Sequence, residues 1–274
     1  MKIKEAKIDE SDKITEFLRS IFQEESLKIY CSNLREKLAD GIYKSFIAHK
    51  EEEIIGHFGI AILGKGALFN MMAVRPKFRG EGLSRKLLQT AIDYSYDRGD
   101  INHVAGYCVL QHPRSERIHD DTFNPVGLMA TQNSPLIDSD PLKDSQIFNG
   151  NLAVCKTLNK SSRPLKLKYT GHFKRNIKQI LNSIDVNVEF DDEFLTIDRS
   201  IKREDYIEVN LEGNLSTLNS LGEDYICLGM LPNPFTGFYS FGFVRKNKFN
   251  PQGRIEVTFK ERKKFIEKIL ENVN

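Results

Sequence analysis

An apolar run, a glycine-containing basic turn and an amphipathic helix follow one another between residues 66 and 97. The run "GALFNMMAV" (66–74) is typical of a strand, and "RPKFRGEG" (75–82) then brings three basic residues and two glycines. Apolar side chains return at helical spacing in Leu83, Leu87, Leu88, Ala91 and Ile92. An amphipathic helix that follows a strand can bury its apolar face by packing against the sheet to which the strand belongs. The segment therefore predicts an α/β fold.

The rest of the first half extends this layout. Residues 1–8 alternate like a strand, and helical spacing predicts helices over 11–21 and 25–40. Three apolar runs at 43–50, 53–63 and 66–74 are separated by short turns, which indicates an antiparallel meander. After the helix at 83–97 we expect a strand at 103–110, a short helix at 113–120 and a further strand. This order predicts a mixed sheet flanked by helices.

The second half is also α/β in pattern, with a linker-like "NKSSRP" near residue 160. We therefore expect a first domain over 1–158 and a second, smaller α/β domain over 163–274. "FNPVG" at 123 and "FNPQG" at 249 share four residues of five, so a degenerate repeat of the first domain is one interpretation. A common turn motif explains the same match equally well.

Composition and charge restrict the classes of partner. The chain has 274 residues, a net charge of +2 and no Trp, so nothing global indicates nucleic acid or a membrane. The four cysteines lack disulfide or zinc spacing, and no metal site is expected. The N-terminus has no apolar signal region, and we expect a cytoplasmic protein. The oligomeric state is left open.

The turn at 75–82 has the features of an anion site. Gly80 and Gly82 permit close backbone approach to a phosphate, and the start of the helix contributes unpaired N–H groups with partial positive charge. If the segment is extended, Arg75, Lys77 and Arg79 project to one side, where they can meet a second phosphate. The ligand is therefore expected to carry several negative charges.

The same residues resemble the acyl-CoA loop of the GNAT superfamily of N-acyltransferases. The family pattern V-x-P-x-x-R-G-x-G-[IL]-[GS]-x-x-L-[LM] is matched by Val74, Pro76, Arg79, Gly80, Gly82, Leu83, Ser84, Leu87 and Leu88, with Lys77 in place of the usual Gln or Arg. The resemblance covers about residues 1–158 and implies transfer of an acetyl or other short acyl group from acyl-CoA to a primary amine. It implies a pyrophosphate on the loop amides and a pantetheine arm along the strand end. The implied cofactor-binding residues are Met72, Ala73, Val74, Lys77, Phe78, Arg79, Gly80, Glu81, Gly82, Leu83 and Ser84.

The resemblance also indicates catalytic groups. It implies that the backbone N–H of Ala73 or Val74 stabilises the oxyanion. Where the family has N-x-x-A-x-x-L-Y, this chain has "HPRSERIH", so His112 replaces the Asn and His119 replaces the Tyr near the sulfur. We expect His119 to act as general acid, or else to be an ordinary surface residue, and His112 to contact CoA or the acceptor.

No carboxylate stands in residues 66–74 to serve as a base. Asn70 could hold a water, Glu52 and Glu53 are expected to be solvated in a hairpin turn, and His57 could face the core or an acceptor groove. The aromatic segment 233–243 is expected to pack in the core rather than to wall a pocket. The acceptor is expected to be a small-molecule or peptide amine. A CoA-binding scaffold protein whose catalytic groups have drifted is the alternative.

Overall fold

A computed structural model describes most of the chain. The described residues are 1–22, 27, 31–110, 113–130, 150–159, 165–167, 173–190, 200–203, 206–210, 221, 224–232, 238–246, 257 and 259–271. They form two compact units, one made by Met1–Val104 and the other beginning at Ala105. His112 and the segment 233–237 lie outside the described residues.

The first unit contains an antiparallel meander. Its strands are β1 (Lys2–Glu5), β2 (Tyr43–Lys50), β3 (Glu53–Leu63) and β4 (Gly66–Val74), adjacent in that order. Each pairs antiparallel with the next, and two-residue turns at 51–52 and 64–65 connect β2 to β3 and β3 to β4. The predicted meander is confirmed with these bounds.

Three helices of the described part of this unit cover the sheet. They are α1 (Ser11–Arg19), α2 (Leu34–Ala39) and α3 (Leu83–Asp97). The apolar face of α3 is buried on β2, β3 and β4, as its spacing predicts. Its close approach requires Gly56 on β3, because a Cβ there would lie 3.0 Å from Leu87 Cδ1 and 3.2 Å from Leu83 Cδ2. The sheet therefore positions the start of α3 beside the end of β4.

The second unit is built on another set of neighbouring strands. The strands are β5 (His103–Val109), which enters this unit from Ala105, β6 (Asn124–Ala130), β7 (Gly150–Thr157), β10 (Ser200–Arg203), β11 (Tyr206–Asn210), β12 (Tyr225–Met230) and β13 (Ser240–Arg245). Within this unit they lie in the order β5, β7, β6, β12, β13, β11, β10. Of these strands, β6, β7, β10, β11, β12 and β13 pair antiparallel. A separate parallel pair joins β8 (Leu165–Leu167) to β9 (Val188–Phe190).

Among the described residues of the second unit, the helices are α4 (Pro113–Ile118), α5 (Lys174–Asn182) and α6 (Lys260–Glu271). Helix α5 packs on β12, and α6 packs on β6 and β12. On α6 the side chains of Ile266 and Ile269 are buried. Phe238, Phe241 and Phe243 are also buried, so the described part of the aromatic segment packs in the core as expected.

The α/β class expected from the sequence is confirmed, because helices pack on a sheet in each unit. The four cysteines are free thiols. No helix among the described residues has both the length and the apolar character needed to cross a membrane. The second copy of the internal repeat, at 249, falls outside the described residues. The division into 1–158 and 163–274 stays a prediction.

Candidate functional site

The turn between β4 and α3 has the backbone shape that its two glycines predict. After Val74 the chain forms one 3₁₀ turn over Pro76–Phe78, and Arg79 is extended. Gly80 (φ +90°) and Gly82 (φ +75°) are both left-handed, a conformation that favours glycine. A Cβ built on either glycine would meet no atom within 4 Å, so their outer faces are open.

The backbone amides of this turn are available to a ligand. Lys86 N–H makes the first helical hydrogen bond of α3, to the Gly82 carbonyl at 3.1 Å. Between Gly80 and Arg85, no backbone N–H donates to a protein acceptor within the part of the chain that the structure describes. Helix N-termini with such amides attract anions, because the N–H groups and the helix dipole point the same way.

The basic side chains of the turn are arranged differently from the sequence expectation. The 3₁₀ turn means that residues 75–79 are not a continuous extended segment, so the three cations do not project to one side. Arg75 Nε lies 2.9 Å and Lys77 Nζ 3.2 Å from the carboxylate oxygens of Glu53. Glu53, whose side chain is 43% exposed as expected, is therefore also a shared ion-pair partner of these two cations. Arg79 Nε donates to the Val74 carbonyl at 3.1 Å.

A β-bulge interrupts β4 just before the predicted pantetheine segment. His57 pairs with Ala73, whereas Gly59 pairs with Asn70, so β4 has one extra residue opposite Phe58. Met71 has φ +47°, which is rare for a residue other than glycine. A bulge of this kind leaves the extra residue outside the ladder and bends the strand. The sequence reasoning did not find it.

The bulge changes which amides of β4 face β3. Before it, the two-residue turn makes Leu63 and Gly66 a hydrogen-bonded pair, so even-numbered amides such as that of Asn70 face β3. After it, Arg75 N–H donates to the Ile55 carbonyl at 3.0 Å, and alternation turns Ala73 N–H toward β3 as well. Val74 N–H therefore points away from β3. Of the two amides implied as oxyanion donor, the register favours Val74.

His57 is buried beneath this bulge and does not face a groove. Its side chain is fully buried, with Nδ1 2.8 Å from the Met71 carbonyl and Nε2 3.1 Å from Ser45 Oγ. A carbonyl oxygen can only accept, so Nδ1 carries the proton and Nε2 accepts from the Ser45 hydroxyl. Burial lowers the pKa of His57 to about 4, which keeps the ring neutral at pH 7.

In the second unit His119 is buried rather than exposed. The side chain is 4% exposed, its ring lies edge-on to Phe123 at 5.1 Å, and Nδ1 lies 3.4 Å from both Cys108 Sγ and the Ser115 carbonyl. A Cβ on Gly106 would lie 2.5 Å from Nε2, so the imidazole packs directly on β5. Burial lowers the pKa of His119 to about 4, with Arg262 contributing in the same direction. The alternative of an ordinary surface residue is wrong.

Arg262, near the start of α6, holds the segment that contains His119. Its side chain is 1% exposed, and Nη1 donates to the Glu116 carbonyl at 3.0 Å and to Glu116 Oε1 at 3.2 Å. Nη2 donates to the carbonyls of His119 (2.9 Å), Asp120 (2.6 Å) and Phe123 (3.3 Å). The C-terminal end of α4 is thus capped by a residue far along the chain. The lysine-rich pattern of α6 gave no signal for this role.

Asn70 and His112 are the remaining side chains with a possible role predicted from the sequence. Asn70 is half-buried in β4, immediately before the bulge. His112 falls just before α4, outside the described residues, and its role stays a prediction. Among the described residues no group of three or more His, Cys, Asp or Glu side chains is gathered as a metal site would require.

Comparison with known families agrees with the geometry of the turn. Residues 11–120 match the model of the acetyltransferase (GNAT) family. These residues are a GNAT acetyltransferase domain. The match runs from α1 past α4 and includes the whole turn between β4 and α3, so it confirms for this domain the GNAT-type acetyltransferase expected from the sequence.

Solved structures similar to the GNAT domain cover a little more than half of this chain. They include the ribosomal-protein-S18-alanine N-acetyltransferase of Escherichia coli, with 13% identity and a TM-score of 0.45 over 60% of this chain and 97% of that one. A GNAT-family acetyltransferase of Staphylococcus aureus has 16% identity and a TM-score of 0.42, over 58% of this chain and 99% of that one. A spermidine N-acetyltransferase of Vibrio cholerae has 15% identity and a TM-score of 0.44, over 57% of this chain and 93% of that one. No curated protein matches the chain significantly.

Proposed function

We propose that this protein transfers an acetyl or other short acyl group from acyl-CoA to a primary amine, by direct attack of the amine in a ternary complex. The observation that carries the proposal is the run of unpaired amides over residues 80–85, at the mouth of α3 and beneath the open faces of two left-handed glycines. This cradle fits a pyrophosphate, because it offers several N–H donors without side-chain bulk.

Acyl-CoA supplies an activated thioester and a thiol leaving group. The chain contributes binding through the amides of residues 78–84 and through the end of β4 from Met72 to Val74. Val74 N–H donates to the carbonyl oxygen as negative charge develops on it. Arg79 supports that geometry, since it donates to the carbonyl of the same residue, which points to the same edge of β4 as the Val74 N–H. Lys77 is 63% exposed and bound to Glu53, so its part is electrostatic attraction of the anion.

His119 is the proposed proton donor to the departing thiolate, and His112 the proposed contact to CoA or the acceptor. Because the pKa of His119 is near 4, its ring is neutral at pH 7 and donates only from a neutral N–H. A neutral imidazole is a weak acid, so acid catalysis contributes modestly and positioning of the amine contributes more. The amine is expected to react in its neutral form.

A panel of amines tests the proposal. Release of free thiol from acetyl-CoA is measured with polyamines, amino sugars, amino acids and peptides carrying a free N-terminus, and the acetylated product is confirmed by mass. We expect turnover with at least one class and none in Gly82→Asp, which places bulk and negative charge at the pyrophosphate. Turnover that survives in Gly82→Asp would contradict the assigned turn.

A CoA-binding scaffold is the second candidate. It is favoured by the burial and lowered pKa of His119 and by the lack of a carboxylate in β4. Tight CoA binding without thiol release on any amine would support it over the enzyme.

A further inference from the structure

The bulge of β4 is held by a side chain of the neighbouring strand. At the bulge, Met71 adopts a left-handed conformation without being glycine, which costs on the order of 1–3 kcal/mol and needs support from its surroundings. The Met71 carbonyl accepts a hydrogen bond of 2.8 Å from His57 Nδ1. Nε2 of His57 in turn accepts a hydrogen bond from the hydroxyl of Ser45, on β2. Three adjacent strands thus fix one peptide.

The position of that peptide decides the direction of the next amides. With the extra residue in β4, Ala73 and Arg75 face β3, and Val74 faces the other way. Without it, the register of Gly59 with Asn70 would continue, Val74 would pair with Ile55, and its N–H would be used in the ladder. One residue of register therefore determines whether the Val74 amide can reach a ligand.

We propose that His57 is a positioning residue for acyl transfer: its hydrogen bond to the Met71 carbonyl holds the bulge that directs the Val74 amide toward the acyl carbonyl. This inference rests on the proposed function. His57 touches neither the thioester nor the amine, and it acts through the backbone of β4. The anion cradle at residues 80–85 lies beyond the strand end and does not depend on it.

Two substitutions at position 57 test the role. His57→Phe keeps a planar ring of similar size but removes both hydrogen bonds, whereas His57→Asn retains a donor near the place of Nδ1. Since a displacement of about 1 Å can cost up to about 100-fold in rate, we expect kcat of His57→Phe to fall about 10- to 100-fold. The Kd for CoA, measured by calorimetry, should change by a smaller factor than kcat, because the cradle for the pyrophosphate is intact and only the pantetheine segment Met72–Val74 is disturbed. His57→Asn should recover most of kcat.

Ile60→Ala is the matched control for stability. Ile60 is fully buried in the same strand, opposite Phe69 and away from the bulge. The Ile60→Ala substitution should lower the unfolding midpoint without lowering kcat. All variants are assayed at a temperature where circular dichroism shows them folded. A wild-type kcat in His57→Phe overturns the proposal, and so does an equal loss of kcat in Ile60→Ala.

The tautomer of His57 provides a readout that does not depend on turnover. In ¹⁵N NMR of the wild-type protein we expect a neutral ring protonated at Nδ1 between pH 6 and 8. A ring protonated at Nε2 would show that His57 does not donate to Met71, and the proposal would fail while the enzyme assignment stood. If the wild-type protein acetylates no amine, the proposed function fails first, and the tautomer then decides whether His57 holds the bulge.

Discussion

At the scale of single residues, the two glycines of the turn are the best predicted feature of the molecule. A G-x-G spacing between an apolar run and an amphipathic helix indicated left-handed backbone, and both glycines have positive φ. Local pattern suffices here because a glycine conformation depends mainly on its immediate neighbours. Buried polar residues were not predictable in this way, since the partners of His57 and Arg262 lie at least twelve residues away in sequence.

Substitution of His119 separates its proposed role in catalysis from its role in packing. We expect His119→Gln to lower kcat of acetyl transfer while the Kd for CoA stays within about twofold, because the cradle for CoA lies elsewhere in the chain. Steady-state kinetics and calorimetry on the same preparation measure the two quantities. A variant with wild-type kcat would remove His119 from the mechanism and leave it as a packing residue against Phe123 and Gly106.

At the scale of elements, most strands and helices follow from the sequence, but two irregularities do not. Helix α3 runs from Leu83 to Asp97, the same range that its apolar spacing predicts. The bulge at Met71 was missed because an extra residue leaves the apolar composition of β4 unchanged. The close pairing of β6 with β12 was also missed, because it leaves no mark on the apolar pattern of either strand. There Gly127 pairs with Gly229 so closely that a Cβ on either would lie 2.2 Å from a backbone oxygen.

Arg262 gives the sharpest prediction at this scale. We expect Arg262→Met to lower the free energy of unfolding by about 3–5 kcal/mol, because the buried Glu116 carboxylate would lose the guanidinium that now lies 3.2 Å away. Phe259 N–H also donates to this carboxylate, at 3.3 Å, but a neutral amide does not balance its charge. Urea unfolding followed by circular dichroism measures the change.

Lys263→Met is the matched control for that experiment. It is the next residue of α6, is exposed, and forms a long ion pair of 3.9 Å with Glu267. Its effect on unfolding should stay within about 0.5 kcal/mol. Equal effects of the two substitutions would mean that Arg262 does not hold α4 and β6 to α6.

At the scale of the whole molecule, the compact units meet in sequence at Ala105, whereas the linker-like segment lies near residue 160. The second unit begins at Ala105 and includes α4, β6 and β7, which the sequence assigned to the first domain. Composition marks a linker near residue 160, whereas the hydrogen bonds of Arg262 connect residues 116–123 to the last helix. Such long-range interactions carry no local sequence signal, and the division into domains 1–158 and 163–274 stays a prediction.

Two buried histidines predict how the stability of the protein depends on pH. His57 and His119 have folded pKa values near 4, below the ordinary 6.5, so the unfolded state binds more protons between these values. Stability should therefore be full above about pH 7 and should fall as the pH drops toward 4, by up to about 3 kcal/mol for each histidine. Urea midpoints at pH 7 and pH 5 measure this loss, and His119→Gln should reduce it. A midpoint that does not change between these pH values would contradict the burial of both rings.

The turn between β4 and α3 is proposed to bind the pyrophosphate of CoA. Calorimetric titration of CoA into the wild-type protein, Gly82→Asp and Gly64→Asp tests it most directly. Gly64 is a matched control, since it also has positive φ (+61°) and open space but lies in the turn between β3 and β4. We predict that the wild-type protein and Gly64→Asp bind CoA with the same Kd and that Gly82→Asp shows no measurable binding. Equal affinity in all three proteins, or no binding by the wild-type protein, would contradict the account.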